Sequence, residues 1–157
     1  IYERQDFVER ALKKTLKPEE VISQDYRAIY FTGGHGVMWD FPDNPEIKGI
    51  AQAIYAHGGY LTSVCHGIAG LLNLKNQEGQ YIISGKKITG FTTAEEVLAG
   101  KKKIVPFLNE EVAKSRGATW CKKRFYKDFA LQDGQLITGQ NPFSVRSVAK
   151  MLIKEIA

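Results

Sequence analysis

The chain has 157 residues, of which 43% are hydrophobic and 25% charged, and it carries a formal net charge of +5. The length suits one domain with its own core, and the composition is typical of a globular protein. The basic run at residues 101–103 has no interleaved aromatic residues, so we interpret it as solvated surface and expect no nucleic-acid partner.

The cysteine content and the hydropathy argue against a disulfide-rich protein, a membrane-spanning protein and a protein with a signal peptide. Two cysteines, Cys65 and Cys121, are too few for a disulfide framework and lack metal-ligand spacing, which indicates a reducing compartment. No apolar run approaches the roughly 20 residues that span a membrane. Residues 1–6 are polar and do not have the pattern of a signal peptide. We therefore expect a cytoplasmic protein with no membrane partner.

The first predicted elements are a helix and a strand. Apolar residues at helical spacing predict an amphipathic helix over residues 5–16. Its buried stripe is expected to comprise Phe7, Val8, Ala11, Leu12 and Leu16. Pro18 then restarts the chain in a short turn or helix, and residues 26–31 predict a strand that ends at the glycine loop 32–36.

A second helix and a second strand follow the glycine loop. Asn44 has the properties of an N-cap and Pro45 those of a first helical residue, while a glycine pair ends the helix. Residues 59–64 are β-branched and aromatic and predict a strand, and residues 68–72 are apolar enough to begin a helix against a sheet. These elements form a βαβα unit, whose strands are expected to be parallel.

The second half of the chain is more mixed. Residues 81–91 predict two short extended pieces around a glycine turn, and residues 129–138 predict a hairpin around an Asp-Gly turn. Short helices are predicted over 94–98 and 107–115, and residues 144–156 predict a closing amphipathic helix. The alternation of helices and strands predicts an α/β layered domain with a largely parallel sheet.

The junction after the second strand is the most informative stretch. Ser63, Cys65 and Gly67 form a small-x-nucleophile-x-Gly pattern, in which small neighbours relieve a strained turn and hold the reactive side chain at the carboxyl edge of the sheet. The following helix directs backbone N–H groups at that side chain, so we expect that the pKa of Cys65 is lowered and that Cys65 oxidises before Cys121. The alternative is a buried structural cysteine, but the elbow context favours a nucleophile.

Several segments, in this order, resemble the signatures of one superfamily. They are residues 28–36, Trp39-Asp40-Phe41-Pro42, Val64-Cys65-His66-Gly67, Ile88-Thr89-Gly90-Phe91-Thr92 and residues 133–142. Together they resemble the ThiJ/PfpI superfamily, which has the class I glutamine amidotransferase-like, flavodoxin-like fold. The resemblance implies a three-layer α/β sandwich with a mostly parallel sheet, and a single domain over residues 1–157. The Trp-Asp-Phe-Pro and Thr-Gly-Phe segments are similar to the branch of heat-shock chaperones and glutathione-independent glyoxalases (glyoxalase III), also described as protein deglycases.

Carried over by position, the resemblance implies a catalytic trio. Cys65 is the nucleophile and His66 is its acid–base partner. Glu96 is the carboxylate that orients the imidazole, with Glu95 as a neighbouring rival. On its residue context alone, Glu96 has the alternative interpretation of a solvated carboxylate at a helix start, and His66 that of a local hydrogen-bonding residue.

The glycine loop supplies the candidate oxyanion and substrate-binding residues Gly33, Gly34 and His35. Gly34 resembles the family's oxyanion-hole position, where a residue without a side chain brings its N–H close to the substrate, and the amide of His66 is the second expected donor. His35 either lines the pocket or is a turn residue. No cluster of His, Asp and Glu has metal-ligand spacing and no Gly-x-Gly-x-x-Gly loop occurs, so we expect no metal and no cofactor.

The beginning of the chain departs from the family pattern. Members of the superfamily usually begin with a strand and a loop whose glutamate hydrogen-bonds the nucleophilic cysteine. Before Arg27 this chain predicts only a helix and a short turn, so no early glutamate can be assigned that role. A sheet without its first strand leaves a buried edge unpaired, which is costly. We therefore expect that an N-terminal segment is missing from this chain.

Two classes of function follow from the resemblance. The first is an enzyme, a lyase or a hydrolase, in which the Cys65 thiolate adds to methylglyoxal or to its adducts and His66 moves the protons. The change of oxidation state is internal to methylglyoxal, so no redox cofactor is needed. The alternatives are a stress-response holding chaperone and an intracellular cysteine peptidase of the PfpI type. The expected partners are a small reactive carbonyl compound or a glycated protein, and a second copy in a homodimer.

Overall fold

The strands form one main sheet and a smaller one. The structure, a computed structural model, describes residues 3–13 and 15–157, without the side chains of residues 10 and 11. Its strands are β1 (Ala28–Phe31), β2 (Tyr60–Val64), β3 (Lys87–Ile88), β4 (Thr119–Trp120), β5 (Ala130–Asp133) and β6 (Leu136–Gly139). The main sheet has the order β1-β2-β6-β5, in which β1, β2 and β6 are parallel and β5 is antiparallel to β6. β3 and β4 pair in parallel as the second sheet.

The main sheet lies between two layers of helices. The described α-helices are α1 (Gln5–Phe7), α2 (Val37–Asp40), α3 (Pro45–Ala56), α4 (Ala69–Leu72), α5 (Thr93–Leu98), α6 (Asn109–Ser115) and α7 (Val145–Ile156). Leu61 of β2 packs with Ala51 of α3 in the main core. Its neighbour Tyr60 points to the opposite layer and donates a hydrogen bond to Glu155 of α7. This arrangement is the expected three-layer α/β sandwich.

β2 is the strand that positions the candidate site. It pairs with β1 on one side and with β6 on the other, and residues 61–64 are buried. Because parallel strands end at the same edge of a sheet, the end of β2 places Cys65 beside the glycine loop that follows β1. β1 itself stands at an edge of the sheet, as far as the described residues extend.

The predicted start and end of α3, and the predicted hairpin and helix near the C-terminus, are confirmed. α3 begins at Pro45, and the side-chain oxygen of Asn44 accepts a hydrogen bond from the N–H of Ile47 at 2.8 Å. The chain leaves this helix at Gly58, whose φ of 91° lies in the left-handed region. The predicted hairpin and closing helix are present as β5, β6 and α7.

The first predicted helix is shorter than expected. Over residues 5–16 the structure has only α1 and a π-helical turn, Val8–Leu12. Leu12 and Leu16 are 52% and 56% exposed, so the stripe lacks the packing that stabilises a helix of this length. The expected burial of Ala11 and the helical position of Lys14 lie outside the described residues.

The region predicted as two extended pieces contains only one strand. Of residues 81–91, only β3 is extended in a sheet, and residues 82–85 form a turn. Ile82 and Ile83 enter the main core from this turn, so their apolar character reflects burial rather than a strand. Among the described helices, none is long and apolar enough to reach across a bilayer.

Candidate active site

Cys65 occupies a strained turn between β2 and α4. Its φ of 59° lies in the left-handed region, which is uncommon for a residue with a side chain. Gly67 makes the turn possible, because a Cβ at that position would collide with the carbonyl oxygen of Phe31 at the end of β1. Gly33 packs against the turn as well, since a Cβ there would lie 3.0 Å from that of Cys65. The predicted nucleophile elbow is therefore present, with the glycine loop packed against it.

Three buried side chains form a hydrogen-bonded line at the elbow. Cys65 Sγ lies 3.3 Å from Nδ1 of His66, and Nε2 of His66 lies 2.8 Å from Oε2 of Glu96. Cys65, His66 and Glu96 are 5%, 2% and 3% exposed. The structure thus brings together the three side chains that the resemblance implies, and the alternative of a solvated Glu96 is wrong.

Glu95 and Glu96 point in different directions from the start of α5, because successive residues of a helix differ by about 100°. The carboxylate of Glu95 accepts five hydrogen bonds, from Thr92, Tyr126, Gln140 and Asn141. Burial alone raises the pKa of Glu95, but these donors hold that pKa below its ordinary value. Glu95 therefore ties the start of α5 to neighbouring loops, and it is Glu96 that reaches His66.

A second imidazole shares the Glu96 carboxylate. Nε2 of His35 lies 2.8 Å from Oε1 of Glu96, and the rings of His35 and His66 have centroids 4.0 Å apart. The His35 side chain is 39% exposed, so it connects the buried pair to solvent. No sequence signal indicated this contact, because His35 and Glu96 are 61 positions apart.

Two backbone donors face the sulfur. The N–H groups of His66 and Gly34 both hydrogen-bond toward Cys65 and favour its charged form. Gly34 has a φ of 120°, a conformation that favours glycine. These are the two amides expected for an oxyanion hole, and negative charge that develops beside Sγ would meet both of them. Gly33 contributes close packing under Cys65 instead.

Burial governs the protonation of the site. It raises the pKa of the Cys65 thiol to about 12, although the N–H groups of His66 and Gly34 act in the opposite direction. The expected lowering of this pKa is therefore wrong, because desolvation of the thiolate outweighs the backbone donors. Burial also lowers the pKa of His66, and the hydrogen bond with Glu96 offsets only part of that effect. At neutral pH a neutral thiol thus lies next to a neutral imidazole.

The Glu96 carboxylate sets the tautomer of His66. An ionised carboxylate only accepts hydrogen bonds, so Nε2 of His66 carries the hydrogen and donates it. Nδ1 is then unprotonated and faces the Cys65 thiol at 3.3 Å. This geometry allows His66 to take the thiol proton at the moment that Sγ attacks a carbonyl carbon.

Phe91 and Tyr126 form an aromatic wall beside the site. The Phe91 ring lies 4.3 Å from that of His66 between centroids, and its N–H donates to the Cys65 carbonyl at 3.1 Å. Tyr126 meets Phe91 edge-on at 6.4 Å and has a φ of 55°. Its N–H donates to Glu95 at 2.9 Å, so the buried carboxylate holds this strained backbone in place. Phe91 belongs to the Thr-Gly-Phe segment, whereas no motif signalled Tyr126.

Three side chains of the site could together hold a metal ion, although the sequence shows no metal-ligand spacing among them. One ligand atom from each of His35, His66 and Glu96 lies within 4.8 Å of the other two. The cluster is not visible from the spacing of residues in the sequence, because its members come from the glycine loop, the elbow and α5. Two imidazoles and a carboxylate form a ligand set that suits zinc.

Known proteins resemble this chain over most of its residues. The model of the DJ-1/PfpI family matches residues 6–155. A glutathione-independent glyoxalase of Saccharomyces cerevisiae is 38% identical over 89% of this chain and 62% of its own length. Glyoxalase 3 of Candida albicans is 35% identical over 91% of this chain and 63% of its own length.

Solved structures agree in fold. The crystal structure of glyoxalase III from Candida albicans has a TM-score of 0.81 and 34% identity, covering 88% of this chain and 60% of its own. The 24 kDa Rapid Encystment Protein of Francisella tularensis has a TM-score of 0.87 and 37% identity, covering 90% of this chain and 63% of its own. This chain spans less than two thirds of the length of these relatives. The predicted flavodoxin-like α/β fold and the ThiJ/PfpI resemblance are confirmed, and the chain belongs to the DJ-1/PfpI family.

Proposed function

We propose that the protein is a glutathione-independent glyoxalase, which converts methylglyoxal or a related 2-oxoaldehyde to a 2-hydroxy acid. Two of the relatives named above are glyoxalases. The observation that carries the proposal is the line from Sγ of Cys65 to Nδ1 of His66 at 3.3 Å and from Nε2 to Glu96 at 2.8 Å. In this line Cys65 is the nucleophile, His66 the acid and base, and Glu96 the group that orients the imidazole.

The first step is addition of the thiol to the aldehyde. Nδ1 of His66 takes the Sγ proton while Sγ of Cys65 bonds to C1 of the substrate, and the carbonyl electron pair moves to the oxygen. The N–H groups of Gly34 and His66 stabilise this oxyanion, and its protonation gives a hemithioacetal. The imidazolium formed in this step lies beside the Glu96 carboxylate, which balances its charge in the buried site.

The second step moves a hydrogen from C1 to C2. Removal of the C1 proton gives an enediol, and return of a proton at C2 leaves a thioester of the 2-hydroxy acid on Cys65. C1 is oxidised and C2 is reduced by the same two electrons, so no external oxidant or reductant is needed. Water then cleaves the thioester, which releases lactate and restores the thiol. His66 is the base within reach of the sulfur, and we assign these proton transfers to it.

Turnover by matched thiol variants tests the proposal. We expect lactate to form from methylglyoxal without glutathione. Cys65→Ser is expected to abolish this turnover, because the pKa of a hydroxyl is too high for the corresponding attack. Cys121→Ser is the control, since Cys121 follows β4 and lies outside the hydrogen-bonded line. Equal turnover by the two variants would overturn the assignment of the nucleophile.

We also propose that residues 1–157 act as a single domain in a cytoplasmic homodimer. The family match over residues 6–155 supports the single domain. Cys65 and Cys121 are both free, which supports a reducing compartment. The homodimer follows from the resemblance, and light scattering of the purified protein tests it: a mass equal to that of one chain would exclude it.

A further inference from the structure

We propose that His35, His66 and Glu96 form a binding site for a divalent transition-metal ion, Zn²⁺ foremost, and that its occupancy excludes catalysis at Cys65. The site uses two residues of the candidate active site together with a third that the proposed mechanism does not need. The exclusion of catalysis rests on the proposed function, whereas metal binding itself does not.

The ligand atoms already converge on one point. Nε2 of His35 and Nε2 of His66 each lie 2.8 Å from an oxygen of Glu96. Around tetrahedral zinc, with bonds of about 2.0–2.2 Å, neighbouring ligand atoms are about 3.4 Å apart. To make room for the ion, the two 2.8 Å contacts lengthen by about 0.6 Å, and any of the remaining distances among the ligand atoms that exceeds the tetrahedral spacing, none being above 4.8 Å, shortens. Rotation of the half-buried His35 ring and of the carboxylate supplies this change.

Glu96 is a buried carboxylate without a cationic side chain against it in the described part of the chain. It is 3% exposed, and its oxygens contact the imidazoles of His35 and His66. The other two buried glutamates are satisfied differently: Glu110 contacts two lysines, and Glu95 accepts five hydrogen bonds. A buried negative charge held by two imidazoles is stabilised by a cation placed among the three groups.

The histidines can change tautomer to receive the ion. Zinc binds the lone pair of a ring nitrogen, so Nε2 gives up its hydrogen and Nδ1 carries one instead. For His66, the Nδ1–H then points at Sγ of Cys65, 3.3 Å away. Ligating histidines usually make such an outer hydrogen bond, which fixes the ring. The His35 side chain is 39% exposed, so solvent can accept its Nδ1–H.

Ligand number and type favour zinc over other common ions. Three protein ligands leave a fourth position for water, as in zinc sites that are open to solvent. Magnesium and calcium prefer sites made of oxygen ligands alone, whereas imidazole suits zinc and its neighbours. The half-buried His35 ring, carried on the glycine loop, gives the ion a path from solvent to Glu96.

Occupancy removes the base from the proposed mechanism. When Nε2 of His66 holds the metal, Nδ1 carries a hydrogen and cannot accept the proton of Cys65 Sγ. Addition of the thiol to a carbonyl carbon then lacks its proton acceptor. Metal binding and turnover are therefore mutually exclusive, and a chelator is expected to restore activity.

Titration of the metal-free protein with Co²⁺ and Zn²⁺ tests the site without any turnover. We expect one Co²⁺ per chain, with the visible absorption of a four-coordinate ion and displacement by Zn²⁺, also in the Cys65→Ser variant, where the thiol is not a ligand. His35→Ala is expected to lower the affinity at least about tenfold, and Glu96→Gln to do the same while keeping the side-chain volume. His57→Ala is the matched control, because His57 is exposed and contacts the carbonyl of Tyr26 instead.

The outcomes separate this inference from the proposed function. Absence of saturable binding, or equal affinity in the His35→Ala and His57→Ala variants, would overturn the metal site whatever the activity. Zinc binding at the site with undiminished turnover of methylglyoxal would overturn the exclusion of catalysis. Zinc binding at this site without any turnover of methylglyoxal would support the metal site and refute the proposed function.

Discussion

Replacement of Glu96 by glutamine isolates the electrostatic part of the candidate site. Glu96→Gln keeps the shape of the side chain but removes the negative charge that lies 2.8 Å from Nε2 of His66. The imidazolium that forms when Cys65 gives up its proton then loses a charge-assisted hydrogen bond, worth about 1.5–3 kcal/mol. Because about 1.4 kcal/mol corresponds to a tenfold change in rate, we expect kcat/KM for methylglyoxal to fall about 10- to 150-fold.

The assay measures lactate formation in buffer that contains a chelator, and thermal melting followed by circular dichroism reports the fold. Glu95→Gln is the matched control, because it makes the same change one residue away and replaces one of the two oxygens that accept the five hydrogen bonds of Glu95. We expect Glu95→Gln to lower Tm while the folded protein keeps its turnover. The opposite result, an active Glu96→Gln and a folded but inactive Glu95→Gln, would refute the assignment of the carboxylate.

The protonation states and the packing of the elbow lead to three further predictions. Because burial lowers the pKa of His66 from 6.5, kcat/KM in chelator-containing buffer is expected to persist as the pH falls through 6.5 and to drop only below it; a midpoint above 6.5 would contradict a buried base. Because burial raises the pKa of Cys65 to about 12, iodoacetamide is expected to label Cys121 first at neutral pH, as followed by peptide mass spectrometry; faster labelling of Cys65 would contradict this. Gly67→Ala is expected to lower the free energy of unfolding in urea by about 1–3 kcal/mol, since its Cβ collides with the main chain of β1. Gly49→Ala in α3, whose Cβ would meet nothing within 4 Å, is expected not to destabilise, and equal losses in the two variants would contradict the packing of the elbow.

Structure that depends on neighbouring residues was predictable from the sequence. The start of α3 follows from Asn44 and Pro45, because the capping hydrogen bond to Ile47 spans three residues. The elbow follows in the same way, since the end of β2, Cys65 and Gly67 are nearly consecutive. The adjacency of Cys65 and His66 needed no tertiary information at all.

Features that depend on packing between distant segments were not predictable. His35 reaches Glu96 across 61 positions, so both the shared carboxylate and the cluster of His35, His66 and Glu96 appear only in the fold. The pKa of Cys65 shows the same limit. The two backbone donors, Gly34 of the glycine loop and His66, were expected from the sequence, but the burial that outweighs them is a property of the packed sheet.

A covalent bond between Cys65 and the substrate is the central claim about this protein. Rapid acid quenching during methylglyoxal turnover, followed by mass spectrometry of the intact chain and of its peptides, measures that bond directly. We predict one substrate-derived adduct on the peptide that contains Cys65, formed and lost at the rate of turnover and absent from Cys65→Ser. Turnover at the full rate with no adduct on Cys65, or with an adduct confined to Cys121, would contradict the claim.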